Sequence, residues 1–326
     1  MLELFKMLAV KPVSLPSLKQ SNSSLQYTIM KTKHLLVALL IALVWGVNFI
    51  AIHIGLEVFS PFLLSTIRFG LSAFPWIFFL PRPKAPLKLI LGYGVFTFAL
   101  QFGLLFSGIH LGLSAGLASL VLQVQMFFSM GLAALFFKDR PSAWKIVGSL
   151  ISFIGIGIVA SHADGSTSLI GLILTLLAAL SWSIGNMFTK KVDAASPLAL
   201  VVWGNLVAFP FMAVTSLLLE GPEMIGNSFQ HVSAETIAAV IYIVYVSTHV
   251  GYGAWGYLLK SYPTATVVPF TLLVPVVGFL SSALILNEDL LPWKITASVF
   301  VMAGLVFNLM EKQVRGLLVK RKTKTE

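Results

Sequence analysis

Four residues recur at the spacing of one helix face. Tyr242, Tyr245, His249 and Tyr252 are separated by three, four and three positions, so in a helix they project to one side. The run that holds them, Thr236 to Leu259, contains no Asp, Glu, Lys or Arg. An apolar helix with hydroxyls and an imidazole along one side presents donors and acceptors to a polar ligand. His249 also presents a group that titrates near pH 6.5 when unperturbed. The competing reading is a set of interhelical hydrogen bonds, with Tyr242 in an interfacial aromatic belt.

Other polar side chains interrupt apolar runs at similar depth: Trp45 and Asn48, Gln101, Gln123 and Gln125, Trp182 and Asn186. A polar group is costly to leave in hydrocarbon, so each is expected to face a cavity or a neighbouring helix. Gln123 and Gln125 are two apart, and one is expected to face the cavity while the other packs. Pro275 is expected near the centre of its run, where it removes a donor and frees a carbonyl. Arg68 is the one formal charge well inside a run. It reads as a partner for a carboxylate, as a gating charge, or as a side chain snorkelling outward from only seven residues past Pro61.

Other chemistry is missing. The chain has no cysteine, which removes disulfides, thiol nucleophiles and Cys-bound zinc. It has neither HExxH nor GxxxxGK[ST], so no zinc-protease site or phosphate-cradling loop is expected, and no direct use of ATP. One histidine among scattered amides is too little for an embedded enzyme. We therefore expect no enzymatic activity and no cofactor.

The elements that hold these residues follow from composition. Hydrophobic residues make up 57% and charged residues 10% of 326, and the mean hydropathy is +0.92. A soluble domain is about 25% charged, so lipid is the main solvent of this chain. A helix needs about 20 apolar residues to cross the hydrocarbon core. Ten runs qualify: Leu35–Leu56, Val58–Pro81, two within Leu89–Phe137, Ile146–Ala163, Gly165–Thr189, Ala194–Leu219, Thr236–Leu259, Ser261–Asn287 and Ile295–Met310. They are numbered spans 1 to 10. The charge-free stretch Leu89–Phe137 is too long for one crossing and is expected to turn at His110–Gly116.

Charge sets orientation. With both termini in the cytoplasm, every lysine and arginine of the 22 falls inside except Lys294 and the intramembrane Arg68, as the positive-inside rule requires. The net charge of +10 is thus a topology signal and implies no nucleic acid. Outer loops lean acidic, with Glu57, Asp164, Glu220, Glu223, Glu235, Glu288 and Asp289. Residues 1–30 form an N-terminal cytoplasmic tail without the ordered regions of a secretory signal; Met30 is the expected natural start, or the tail is disordered. A basic tail follows at 313–326.

The halves repeat. Trp144-Lys145-Ile146 recurs as Trp293-Lys294-Ile295, 149 positions later, and the same offset pairs Asp139 with Glu288, Ala134 with Ala283 and Gly155 with Gly304. Ser60-Pro61 and Trp45 recur as Ser196-Pro197 and Trp182. A five-helix unit over 31–163 is expected to recur over 164–312. Five is odd, so the second copy enters from the opposite face, as in many transporters whose site lies at mid-depth between halves. By this offset His249 is within one residue of the counterpart of Gln101. The expected fold is an all-α integral membrane protein of ten transmembrane helices in two inverted five-helix repeats.

Several strings resemble the EamA family of the drug/metabolite transporter superfamily. They are Val44-Trp45-Gly46-Val47-Asn48-Phe49, Leu89-Ile90-Leu91-Gly92-Tyr93-Gly94, and Gly116-Leu117-Ala118-Ser119-Leu120-Val121-Leu122-Gln123. Val250-Gly251-Tyr252-Gly253-Ala254-Trp255-Gly256 and Leu272-Leu273-Val274-Pro275-Val276-Val277-Gly278 complete the set. The resemblance covers residues 31 to 312. It implies alternating access and export of small amino-acid-like metabolites of the O-acetylserine/cysteine type across the bacterial inner (plasma) membrane. The partners it implies are a small-molecule substrate and the lipid bilayer, with a homodimer left open. A different cargo on the same fold, or a channel, are the other readings. Members usually carry Gly-Glu after span 4, where this chain reads Phe137-Lys138-Asp139-Arg140; no role for a glutamate carries over there, while Glu288 keeps the second-half position.

Overall fold

The computed structural model describes residues 30–137, 141–162, 167–189, 191–192, 196–262 and 264–322, with only the backbone at 137, 264–265 and 312–322. The N-terminal tail, the Lys138–Asp139–Arg140 loop, the boundary at 163/164 with Asp164, Lys190 and residues 323–326 lie outside the described residues. Among the described residues there are ten helices long and apolar enough to cross a membrane, and no strand. They are span 1 (Thr32–Val58), span 2 (Pro61–Phe78), span 3 (Leu87–His110), span 4 (Ala115–Phe136), span 5 (Ala143–Ser161), span 6 (Leu169–Thr189), span 7 (Pro197–Leu219), span 8 (Ala234–Ser261), span 9 (Val268–Ile285) and span 10 (Pro292–Glu311).

Local chemistry explains where they start and stop. Spans 2 and 7 begin at Ser-Pro, with proline in the first turn, where no N–H is needed. Ser114, Ser142, Ser196 and Ser233 cap spans 4, 5, 7 and 8 by accepting a bond from the amide three residues on. The long charge-free run divides where expected, at a turn whose Gly112 has φ of +99°, a conformation open to glycine. Pro75, which has no N–H, ends the regular helix of span 2 at Ala73; a short 3₁₀ turn, Trp76–Phe78, follows. A helix not anticipated from hydropathy, Gly221–Gln230, joins spans 7 and 8.

The spans pair in a regular way. Span 1 lies against spans 8 and 9, and span 6 against spans 3 and 4. Span 2 packs on span 7, and span 5 on span 10. Exchanging spans 1–5 with 6–10 leaves that pairing unchanged. Lipid offers helices no hydrophobic reason to associate, so close backbone approach matters. A Cβ on Gly46 would come within 2.5 Å of the Val277 side chain, so only glycine admits span 9 there. Spans 5 and 10 meet through Gly155 on the Ala297 carbonyl, through Gly304 on the Gly148 carbonyl, and through Ser152 Oγ, which donates to the Val301 carbonyl at 2.9 Å. The two glycine contacts are one contact with partners exchanged at the repeat offset. Ser152 and Val301 are themselves 149 positions apart.

Large apolar side chains such as Leu36, Leu40, Leu218 and Leu284 point outward, where lipid is the solvent. The interior holds a continuous apolar core from Ala42 to Leu305.

Candidate functional site

A cavity of about 570 Å³ lies between the halves. It runs from the buried Ile52, Arg68 and Leu105 to Val192, Pro197 and the exposed Lys260 at the ends of spans 6, 7 and 8, and this exposed end is taken as its mouth. Trp45, Asn48, Gln101, Gln123, Gln125, Trp182, Asn186 and Tyr252 all line it, with Arg68. His249, Tyr245 and Pro275 do not.

Irregular helix positions these groups. Span 3 is π-helical over Val95–Leu100 and span 8 over Tyr242–Gly251. The wider turn shifts carbonyls out of the ordinary register, and such turns often mark functional sites. In span 8, Thr248 Oγ1 donates to the Ile243 carbonyl at 2.9 Å, five residues back. The Ser247 carbonyl accepts Trp45 Nε1–H at 3.1 Å, tying span 1 to span 8. Trp45 then lies between Tyr252 and Trp255, tilted against each, with ring centroids 5.3 and 5.4 Å away, as an aromatic wall.

Gln123 and Gln125 both line the cavity, contrary to the expectation that one would pack. The reason is a 3₁₀ turn over Leu122–Val124. At three residues per turn, positions two apart diverge by about 120° instead of about 160°. Gln125 Oε1 accepts from Asn186 Nδ2 at 3.3 Å, so spans 4 and 6 share one amide pair. Pro275 stands in the first turn of the helix Leu273–Ile285, just past a 3₁₀ stretch, Val268–Leu272. It thus lies near the middle of span 9, as expected, with its missing N–H in the first turn of the α-helical part, where it costs little. Thr271 and Val274, beside it, line the cavity.

Arg68 does not snorkel. It is 2% exposed, and its Nη2 donates to Thr248 Oγ1 at 3.2 Å. Its Cζ lies 4.0 Å from the centroid of Phe102. Nε and Nη1 are buried without a hydrogen-bond partner, as are Asn48 Oδ1, Thr97 Oγ1 and Gln101 Oε1.

His249 sits behind this wall, also 2% exposed. Nδ1 lies 2.8 Å from the Val244 carbonyl and Nε2 3.0 Å from the Ser72 carbonyl. A neutral imidazole donates to one of them and an imidazolium to both. Tyr245 stacks on the imidazole at 5.6 Å, and Tyr242 donates its hydroxyl to the Val44 carbonyl at 2.9 Å. The four-residue face of span 8 therefore divides, with only Tyr252 on the cavity.

At the end away from the mouth, two carboxylates join the halves. Glu220 accepts from the Phe62 and Leu63 amides at 2.8 and 3.0 Å, and from Ser216 Oγ at 2.7 Å. Glu288 accepts from the Ala115 and Gly116 amides at 2.9 and 3.4 Å. Each caps a helix of the first half from a loop of the second, satisfying first-turn amides and the helix dipole.

Sequence reading missed Glu220, Tyr93 and Thr97. Tyr93, Thr97, Gln101 and Leu105 recur every fourth position on span 3 and all line the cavity, so their periodicity was an available signal.

Comparison with known proteins agrees with this architecture. The chain is 44% identical over 292 residues to a "Probable amino-acid metabolite efflux pump" of Salmonella typhimurium, covering 88% of this chain and 98% of that one. It is 41% identical to a protein of the same description from Escherichia coli K12, over 86% and 96% of the two chains. A solved crystal structure shares the fold with a TM-score of 0.58 at 16% identity, over 85% of this chain and 96% of the other. The model of the EamA-like transporter family matches twice, over residues 32–161 and 169–310. With ten spans around one cavity and two matches to one family model, the chain belongs to the EamA-like transporter family.

Proposed function

We propose that the protein is a secondary exporter of small amino-acid-like metabolites, working by alternating access in the bacterial inner membrane. The observation that carries this reading is the cavity between the halves, lined by five amide side chains and Arg68, which runs from buried residues at one end to the exposed Lys260 at the other. The positive-inside pattern supports cytoplasmic termini and, with them, a mouth beside Lys260 that faces the cytoplasm. An exporter loads its cargo from that side. The names of the two bacterial relatives support the cargo class of amino-acid metabolites, of which O-acetylserine and cysteine are the members the family resemblance implies.

The exchange-invariant pairing of spans, the mirrored glycine contacts of spans 5 and 10, and the double family match support two inverted five-helix repeats. In such a pair, rocking of one half against the other exposes a fixed mid-depth site to each side in turn. Glu220 and Glu288 then act as the outer latch, since outward opening must draw each carboxylate from the helix it caps.

The test is a metabolite-resolved efflux assay in cells with and without the protein. Saturable efflux of cysteine and O-acetylserine, stimulated by cargo on the far side, is the expected result. Non-saturable flux would replace the exporter with a channel. Orientation is checked separately, because the chain has no native cysteine. Gln230→Cys should react with an impermeant thiol reagent from outside, and Ser261→Cys only after the membrane is opened.

A further inference from the structure

Arg68 is a cation with unmet donors in the wall of a cavity. It is 2% exposed, and Nε and Nη1 lack a partner. No Asp or Glu among the described residues forms an ion pair with it. Its surroundings are a threonine hydroxyl and the rings of Phe102 at 4.0 Å and of Phe69 and Phe106 at 6.0 Å. Cation–π contact offsets part of the cost of burying the charge, but leaves the in-plane N–H groups unsatisfied. A guanidinium has five N–H donors in a fork that matches a carboxylate. The bond to Thr248 uses one edge of that fork.

The neighbouring orphans have the opposite chemistry. Asn48 on span 1 and Gln101 on span 3 each bury an acceptor oxygen without a donor, and both line the same cavity. Thr248 in turn donates to its own backbone, which holds its hydroxyl lone pair toward Arg68. The lining of the cavity therefore combines an unsatisfied cationic fork with unsatisfied acceptors. An α-amino acid, with a carboxylate beside an ammonium, matches that combination.

We infer that Arg68 anchors the carboxylate of the cargo and that the amide oxygens of Asn48 and Gln101 receive its ammonium. This makes the site selective for zwitterions and sets it against amines whose carboxylate is masked. The inference rests on the central cavity being the transport site.

The experiment uses the full-length protein in proteoliposomes, with labelled L-cysteine counterflow as readout. Unlabelled L-cysteine and its carboxamide compete in parallel, so the first comparison needs no variant. The carboxamide should compete about tenfold or more less well, the size expected when charge-assisted bonds are lost. Arg68→Gln should lose counterflow while eluting as a monodisperse peak, and Arg68→Lys should keep part of it. Equal competition by acid and carboxamide, or undiminished counterflow in folded Arg68→Gln, would overturn the anchor and leave the exporter standing. Absence of counterflow in the unmodified protein would overturn the exporter reading and the anchor together.

Discussion

Arg68 and His249 are close equivalents by position and opposites by environment. Both are ionisable side chains buried at depth, on spans 2 and 8, and Thr248, which accepts from Arg68, adjoins His249 in the chain. Both ring nitrogens of His249 have carbonyls within 3.0 Å, one in its own helix and one in span 2. Arg68, which lines the cavity, has one bond and two buried nitrogens without a partner. The difference teaches how to assign polar residues in a membrane protein. A group whose hydrogen-bonding capacity is filled by the fold holds helices together, and one whose capacity is unfilled beside a cavity is available to a ligand.

The largest effect expected from this comparison is on the cavity side. Gln101→Leu and Asn48→Leu remove an acceptor while keeping bulk, and each should lower cysteine efflux per molecule about tenfold or more. Protein amount and insertion should stay near normal. Undiminished efflux in both variants would erase the distinction between filled and unfilled groups.

His249→Leu should do the reverse. It strips two carbonyls of their polar neighbour in a low-dielectric interior, at a cost of about 1–3 kcal/mol. The amount of folded protein and its thermal midpoint should fall, while efflux per surviving molecule stays within about twofold. His249→Gln keeps a donor and should recover much of the lost stability. A well-folded His249→Leu protein that does not transport would move His249 to the cargo side of the comparison.

A smaller effect separates the two ends of the cavity. Glu288→Gln keeps a hydrogen-bond acceptor but loses the charge that favours a helix N-terminus, a term of about 0.3–1 kcal/mol. A single cysteine at Leu105, at the buried end, should then react about two- to fivefold faster with an impermeant thiol reagent from outside. No acceleration would mean that Glu288 is a passive cap and that the outer closure depends on other contacts.

Much of the fold was legible in the sequence. The ten spans and the turn near Gly112 follow from length, hydropathy and charge, because each helix meets the bilayer on its own and must satisfy its backbone internally. So did the candidacy of Arg68 and the mid-depth amides, since polar atoms in hydrocarbon stand out one residue at a time. The division of the span 8 face was not legible. A 3.6-residue wheel puts His249 and Tyr252 together, whereas the π-helical turn from Tyr242 to Gly251 changes the angular register between them. The 3₁₀ turn at Leu122–Val124 likewise brings Gln123 and Gln125 onto one wall.

The sequence by itself determined the solvent, the number of crossings, the family and a list of polar residues, because these depend on local composition and short strings. Only the tertiary structure decided which of those residues are filled and which are idle. The partner of His249 on span 2 is 177 positions away, and that of Arg68 on span 8 is 180 positions away. Hydrogen-bond capacity is used up by whichever atoms the packing brings within about 3 Å, and no local pattern in the chain specifies them.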